Sequence, residues 1–401
     1  MSWNGCWDYR RKDGRFEKFG FVWELKMKKL IDICDIQYGY AFDSAYFTEN
    51  SCYPPLARIR DVKRGYSETY YSGGYSEEYI LASGDLLVGM DGEFNIARWK
   101  CDGALLNQRV CRLLAKKGTN EEYLRFAMMK VLKEIERRTA FVTVKHLSAK
   151  ELNKLQLVVP DLSTQNKVSE ILSRLEKIIG LRRQELKRLD DLIKARFVEM
   201  FSKINVDWKE VTMADICKDM RTGPFGSALH HDEFVDKGIF VLGIDNAVEN
   251  KFSYNRMRYI TEEKYEKLKR YTVHPGDVII TIMGTVGRSA VIPENMPKAI
   301  NTKHLACLTP DTHIVDSYFL VNVFQVHPLI RKQLESQSKG AIMNGLNLTI
   351  IKGLKFRLPP LELQKEFVKF YNQVDKSKVK VQKALDETQK LFDSLMQQYF
   401  G

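Results

Sequence analysis

The chain has 401 residues and a mass of 46.6 kDa, more than one hydrophobic core ordinarily serves, so a multi-domain protein is expected. Apolar residues make up 44% and charged residues 28%, with only 24 Gly and 11 Pro, which excludes disordered, collagen-like and low-complexity chains. The net charge of +12 suits a polyanionic partner, and it is spread out: +4 falls on residues 26–160 and +4 on 203–360, with no basic tail. The seven cysteines are odd in number and never form a C-x-x-C pair, which argues against a disulfide framework or a zinc ribbon and for reduced thiols in the cytoplasm. The apolar stretch 278–283 is far short of the ~20 residues that cross a bilayer, so no membrane partner is expected.

In chain order, residues 1–25 read as an N-terminal extension and 26–160 as a first lobe of short β-rich runs and helical stretches. A helical segment spans 161–202, a second mixed lobe 203–360, and a second helical segment 361–401. The second half overlays the first at a shift that grows from 183 to 199 residues. Asp32-Ile33-Cys34 matches Asp215-Ile216-Cys217, Gly84-Asp85 matches Gly276-Asp277, and Asn107 falls on Asn301. From Leu147 onward the shift stays at 199, so Leu155, Pro160, Leu162, Gln165 and Phe201 meet Leu354, Pro359, Leu361, Gln364 and Phe400. Insertions are confined to the front of each unit, while the back has a fixed length.

Each back part opens after proline, which commonly precedes a helix. The first carries the seam Val168, Leu172, Leu175, Ile179, Arg182, Leu186, Leu189, Ile193, Arg196 and Met200; the second carries Phe367, Tyr371, Val374, Lys378, Val381, Leu385, Thr388, Phe392, Leu395 and Tyr399. Both alternate steps of four and three, a heptad pattern, over a length on the order of 55 Å at ~1.5 Å per residue. The polar seam positions do not coincide between the two, which favours pairing of the unlike helices with each other. The expected fold class is α/β, with α+β lobes: two repeated mixed domains joined by two long antiparallel helices forming a coiled-coil spacer.

No phosphate-cradling G-x-x-x-x-G-K-[ST] loop is present, and Tyr53-Pro54-Pro55-Leu56 lacks the side-chain acceptor that leads an amino-methyltransferase motif. Asp161 and Glu185-Leu186-Lys187 fit a metal-nuclease pattern only loosely, since Leu186 is a seam residue more than roughly 30 Å of helix from Asp161. His230-His231-Asp232-Glu233 reads as a solvated loop, because adjacent histidines point apart. Neither catalytic nor metal-ligating residues are assigned.

Binding candidates stand out more clearly. Arg58, Arg60, Lys63 and Arg64 precede Tyr66, Tyr70, Tyr71, Tyr75 and Tyr79, joining cations that reach phosphates and base edges to rings that stack or pack in a sheet. In the second lobe Thr222-Gly223-Pro224-Phe225-Gly226-Ser227 lets backbone approach a partner, and Thr302, Lys303 and His304 supply donors; Asn107, Gln108 and Arg109 are the first-lobe triplet. Arg288, after a glycine-rich turn, completes the set of DNA-binding candidates with Ser227.

The tandem lobes with their helices, the phrases Thr222-Gly223-Pro224-Phe225-Gly226-Ser227 and Gly287-Arg288-Ser289-Ala290-Val291-Ile292-Pro293, and the Pro-x-Leu-x-x-Gln junctions at Pro160 and Pro359 resemble the specificity subunit of type I restriction-modification systems, from about Lys26 to Phe400. The resemblance implies a subunit without catalytic activity, in which two target-recognition domains each read one half of a bipartite double-stranded DNA site. It implies spacer helices that act as a ruler and dock two methyltransferase subunits, joined by motor-nuclease restriction subunits. S-adenosylmethionine, ATP and Mg would sit on those partners and no cofactor on this chain. The alternative is a coiled-coil scaffold presenting two basic lobes to proteins.

Overall fold

The computed structural model describes residues 15–18, 21–24, 27–138, 146–201, 207–225, 228–338 and 346–401. They form two compact units, Met1–Arg182 with Ala384–Gly401, and Arg183–Lys383. Each unit holds one lobe and half of each long helix, so the division falls in the middle of the helices and not at their ends.

In the first unit, Cys34–Tyr38, Val110–Ala115, Leu86–Gly89 and Ile96–Arg98 pair side by side as an antiparallel sheet. A smaller sheet sets Ala104–Leu106 parallel to Leu56–Ala57 and antiparallel to Ile80–Leu81. The second unit repeats this: Cys217–Thr222, Leu305–Pro310, Val278–Thr281 and Ser289–Val291 give the same order, and Ala299–Asn301 lies parallel to Ile239–Leu242 and antiparallel to Thr272–Val273. Tyr259–Ile260 pairs antiparallel with Ile239–Leu242, as Tyr70 pairs with Pro55 in the first unit. The strands Leu86–Gly89 and Val278–Thr281 are buried throughout, which is why they read as continuous apolar runs. The two lobes therefore share one topology, as the duplication requires.

The lobe helix Glu121–Arg138 of the first unit is continuous, whereas its counterpart is split into Ser317–Val326 and Pro328–Ser338. Pro328 accounts for the break, because it cannot donate to the preceding turn.

The long helices are Leu162–Phe201 and Leu361–Phe400, 40 residues each, or about 60 Å. Asp161 starts the first, accepting from the Thr164 amide (3.0 Å) and hydroxyl (2.8 Å), which holds its carboxyl below the usual range. Each Pro-x-Leu-x-x-Gln junction places a buried glutamine in the same network. Gln165 accepts from Asn120 N–H (2.8 Å) and donates to the Pro160 (2.8 Å) and Gly118 (3.2 Å) carbonyls. Gln364 accepts from Asp316 N–H (3.0 Å) and donates to the Pro359 (2.9 Å) and Ile314 (3.1 Å) carbonyls. The motif is thus a weld between lobe and helix.

The heptad seam is turned inward. Val168, Leu172, Ile179, Ile193, Phe367, Val374, Leu385 and Phe392 are buried, and Leu175, Leu186, Leu189, Tyr371, Val381 and Leu395 are half-buried. Within the first unit Arg182 donates to the Thr388 hydroxyl and the Ala384 carbonyl. Within the second, Lys378 pairs with Asp190, and Arg196 with Glu366 at 3.2 Å. Sequence positions rise on one helix as they fall on the other, so the pairing is antiparallel. The polar seam residues meet partners on the unlike helix. Phe197, fully buried among Phe201, Phe319 and Phe367, joins the helical seam to the lobe core of the second unit. Phe126 against Phe392 and Tyr123 against Phe400 do the same in the first. Among the described residues no helix is long and apolar enough to cross a membrane.

Candidate nucleic-acid interface

At one end of each four-stranded sheet, three connections and one incoming segment meet through backbone contacts. In the first unit a Cβ on Gly39 would overlap the Asn107 carbonyl, so only glycine allows the approach. There the Arg109 carbonyl accepts from Met90 N–H (2.9 Å), and Leu147 N–H donates to the Met90 carbonyl (2.7 Å). In the second unit Gly223 presses on Asn301 and Thr302, the His304 carbonyl accepts from Ile282 N–H (2.9 Å), and Leu346 N–H donates to the Ile282 carbonyl (3.0 Å).

These bonds fix the correspondence between the lobes. Val110 N–H bonds to Asn107 O as Leu305 N–H does to Thr302 O, so Asn107 matches Thr302, and Gln108-Arg109 matches Lys303-His304. The sequence alignment of Asn107 with Asn301 is one residue out. It followed residue identity, whereas the backbone ladder sets the register.

The turn presents some candidates and withdraws others. Gln108 and Lys303 are exposed and His304 is half-buried. Burial lowers the His304 pKa, helped by the nearby charges of Lys303 and Arg258, so the ring is held towards its neutral form. Arg109 takes a left-handed backbone (φ 69°), costly for a residue with a Cβ, and its side chain lies 3.5 Å from Asp91 and 3.2 Å from the His146 ring. His146 in turn contacts Asp91. Asn107 requires correction as a contact residue: it is 6% exposed, and its Oδ1 is buried. Thr302 is half-buried, with its hydroxyl oxygen enclosed. Arg288 is exposed beside a hairpin tip, its backbone tied to Thr281 at 2.8 and 3.0 Å. Ser227 lies outside the described residues.

The basic run of the first unit surrounds Asp61, which is fully buried. Asp61 accepts from Arg58 N–H (3.2 Å) and the Ser67 hydroxyl (3.1 Å) and binds Arg64. Arg64 also reaches Glu68 at 3.5 Å and lies over the Tyr66 ring, while Lys63 pairs with Glu93 at 3.1 Å. Arg58, Arg60 and Arg64 line a cleft of about 630 Å³ with Phe47, Thr48, Glu49, Glu68 and Thr69. The tyrosine run divides: Tyr71 is buried and packs with half-buried Tyr79 on Phe42, whereas Tyr66 and Tyr75 are exposed.

In the second unit the position of Asp61 is held by Asn246, also fully buried, whose Oδ1 accepts from Gly243 N–H at 2.8 Å. The anchor is retained, but Gly243 and Asp245 stand where the first unit has Arg58 and Arg60. Arg258 enters here from the segment before Tyr259–Ile260 and donates to Asp245 at 2.6 Å. Arg258 stands where the first unit has Thr69, since Val241 N–H bonds to the Arg258 carbonyl as Leu56 N–H does to the Thr69 carbonyl. Sequence reasoning missed Arg258, since a threonine occupies its repeat position, and missed Asp61 and Asn246, since nothing in composition marks an anchor.

Other groups are structurally engaged. Glu233 accepts from His230 N–H (2.7 Å) and pairs with Lys264. Burial pushes the Cys34, Cys111 and Cys217 thiols up to about 12, which disfavours the nucleophilic thiolate.

Two stretches, 23–190 and 205–388, match the type I restriction modification DNA specificity domain. The chain is 29% identical over 399 residues to the type I restriction enzyme EcoBI specificity subunit of Escherichia coli, covering 92% of this chain and 84% of that one. It is 20% identical over 321 residues to the MjaVIII specificity subunit of Methanocaldococcus jannaschii, covering 75% and 74%. In fold it is similar to the crystal structure of a type I restriction-modification S subunit from M. genitalium, with a TM-score of 0.61 at 14% identity over 96% of this chain and 98% of that one. A chain from a structure of type I restriction-modification complex assembly gives a TM-score of 0.56 at 16% identity over 94% and 97%. With two copies of the specificity domain spanning most of its length, the chain belongs to the type I restriction-modification specificity subunits.

Proposed function

We propose that each unit reads one half of a bipartite DNA site through the loops at the end of its four-stranded sheet, with Gln108, Arg109, Lys303, His304 and Arg288 among the contact residues. The observation that carries this is the repeated framework: the same glycine approach and the same backbone bonds present different side chains in the two units. A fixed frame with variable contents suits the reading of two unlike half-sites.

The paired helices set the distance between half-sites and dock two methyltransferase subunits, to which restriction subunits are added; S-adenosylmethionine, ATP and Mg act on those partners. Their inward seam leaves Ile171, Ile178 and Leu181 exposed in the first unit and Leu192 and Val379 in the second, apolar surface suited to a protein partner. The chain itself performs no chemistry.

The test is co-purification with a co-expressed methyltransferase subunit, followed by DNA binding across a salt series. Retention of the partner and a fall of roughly 0.9 log units in affinity per log unit of salt for each phosphate neutralised are expected. A flat salt response contradicts the DNA reading, and failure to retain the methyltransferase contradicts the docking role.

A further inference from the structure

The four cations of the first-unit loop are not equivalent. Arg64 is bound to Asp61 and Glu68, and Lys63 to Glu93. Among the described residues Arg60, 62% exposed, makes one hydrogen bond, to Thr69 Oγ1 at 2.9 Å, and lies 3.9 Å from Asp61. Arg58 lays its guanidinium over the Phe47 ring at 5.5 Å, a contact that orients the group without engaging its donor edge. Two guanidinium forks are thus presented to the cleft, on a loop that buried Asp61 fixes from beneath.

The same cleft carries two carboxylates, Glu49 and Glu68, the latter 74% exposed. A rim of mixed sign is poorly suited to a run of phosphates, which the carboxylates would repel. It matches the edge of a base pair. In the major groove guanine offers O6 and N7 as acceptors to an arginine fork, and cytosine offers its N4 amino group as a donor to a carboxylate.

We propose that this cleft reads a guanine–cytosine pair in the first unit's half-site, with Arg58 and Arg60 as donors to guanine and Glu49 or Glu68 as acceptor from cytosine. The inference rests on the DNA-reading function above and adds the residues and the base pair. The second unit keeps the anchor, as Asn246, but has Gly243 and Asp245 at the arginine positions, with Arg258 bound to Asp245. Its loop therefore reads a different edge, which makes the full target asymmetric.

The experiment is selection from a randomised duplex library with the methyltransferase-bound full chain, comparing wild type with Arg60→Gln, Arg58→Gln and Arg60→Lys. Wild type is expected to require a G·C pair at one position of one half-site. Each variant should lose about 5- to 150-fold of discrimination there. The Lys variant should fail as well, because an ammonium lacks the planar fork. The salt dependence and the other half-site should be unchanged, the latter showing that the protein is folded. Affinity that falls equally for all sequences, with a salt slope smaller by about 0.9, would identify a phosphate contact and overturn the proposal. An unaltered motif in all three variants overturns it too. If wild type selects no motif at all, the DNA-reading function falls with it, a result distinct from a wild-type motif that the variants preserve.

Discussion

Gln165 and Gln364 are where each lobe is joined to its long helix, and their removal should loosen the two units separately. Replacing Gln364 with Leu keeps the bulk of the side chain and removes three hydrogen bonds, leaving Asp316 N–H and the Pro359 and Ile314 carbonyls without this partner at a site that is 0% exposed. At about 0.5–1.5 kcal/mol net per bond the loss is on the order of 3 kcal/mol. Gln165→Leu should lose a similar amount, since its three bonds match in kind and length. Native-state hydrogen exchange read by mass spectrometry localises the effect. An opening free energy lower by about 3 kcal/mol corresponds to exchange roughly 100-fold faster. Gln364→Leu should produce this in Ser317–Val326, which Asp316 caps through its Oδ1, and leave Glu121–Arg138 protected. Gln165→Leu should do the reverse. Loss below about 1 kcal/mol in both variants, or acceleration spread evenly over both lobes, would refute the role assigned to the junction.

Two further outcomes follow from the second unit and the long helices. His327 packs between the rings of Phe197 and Phe356, and burial lowers its pKa to about 4. Above the unfolded value of about 6.5 the ring is neutral in both states, so it gives stability no pH dependence there. As pH falls from about 6.5 to about 4 the unfolded chain gains a proton that the native chain does not, costing about 1.4 kcal/mol per pH unit and about 3 kcal/mol in all. His327→Phe should abolish that slope, and denaturation curves of both proteins that run parallel between those pH values would show it does not arise here. Inserting four residues near Arg188 should change the gap tolerated between half-sites or prevent assembly while leaving each half-site sequence intact. A complex that stays active on DNA with its gap preference unaltered would contradict the ruler.

The helical half of the molecule was legible because its signals repeat. The 199-residue shift and the heptad steps placed the seam, and the mismatch of Arg182 and Lys378 with their repeat positions anticipated that each would find its partner on the unlike helix, as the contacts with Thr388 and Asp190 show. The Pro-x-Leu-x-x-Gln phrase was visible as a motif, but its meaning was not. Only the fold reveals that the glutamine reaches back to the residue opening a lobe helix. In the lobes, a shared asparagine drew the alignment one residue out of register, and the tyrosine run, which reads equally as a stacking surface or as packing in a sheet, is in part a small core around Phe42.

The places where sequence reasoning failed share a cause. Backbone hydrogen bonds and close glycine contacts tolerate many side chains, so an equivalent position such as Asp61 and Asn246 can change its charge while keeping its geometry. Once the anchor holds, neighbouring side chains are free to diverge: the first unit presents Arg58 and Arg60, while the second has Gly243 and Asp245 there and places Arg258 where the first unit has Thr69. A comparison of the halves therefore finds the frame where they agree. The reading surface we propose lies where they agree in backbone and disagree in side chain, which becomes visible only when the hydrogen-bond register has been used to align them.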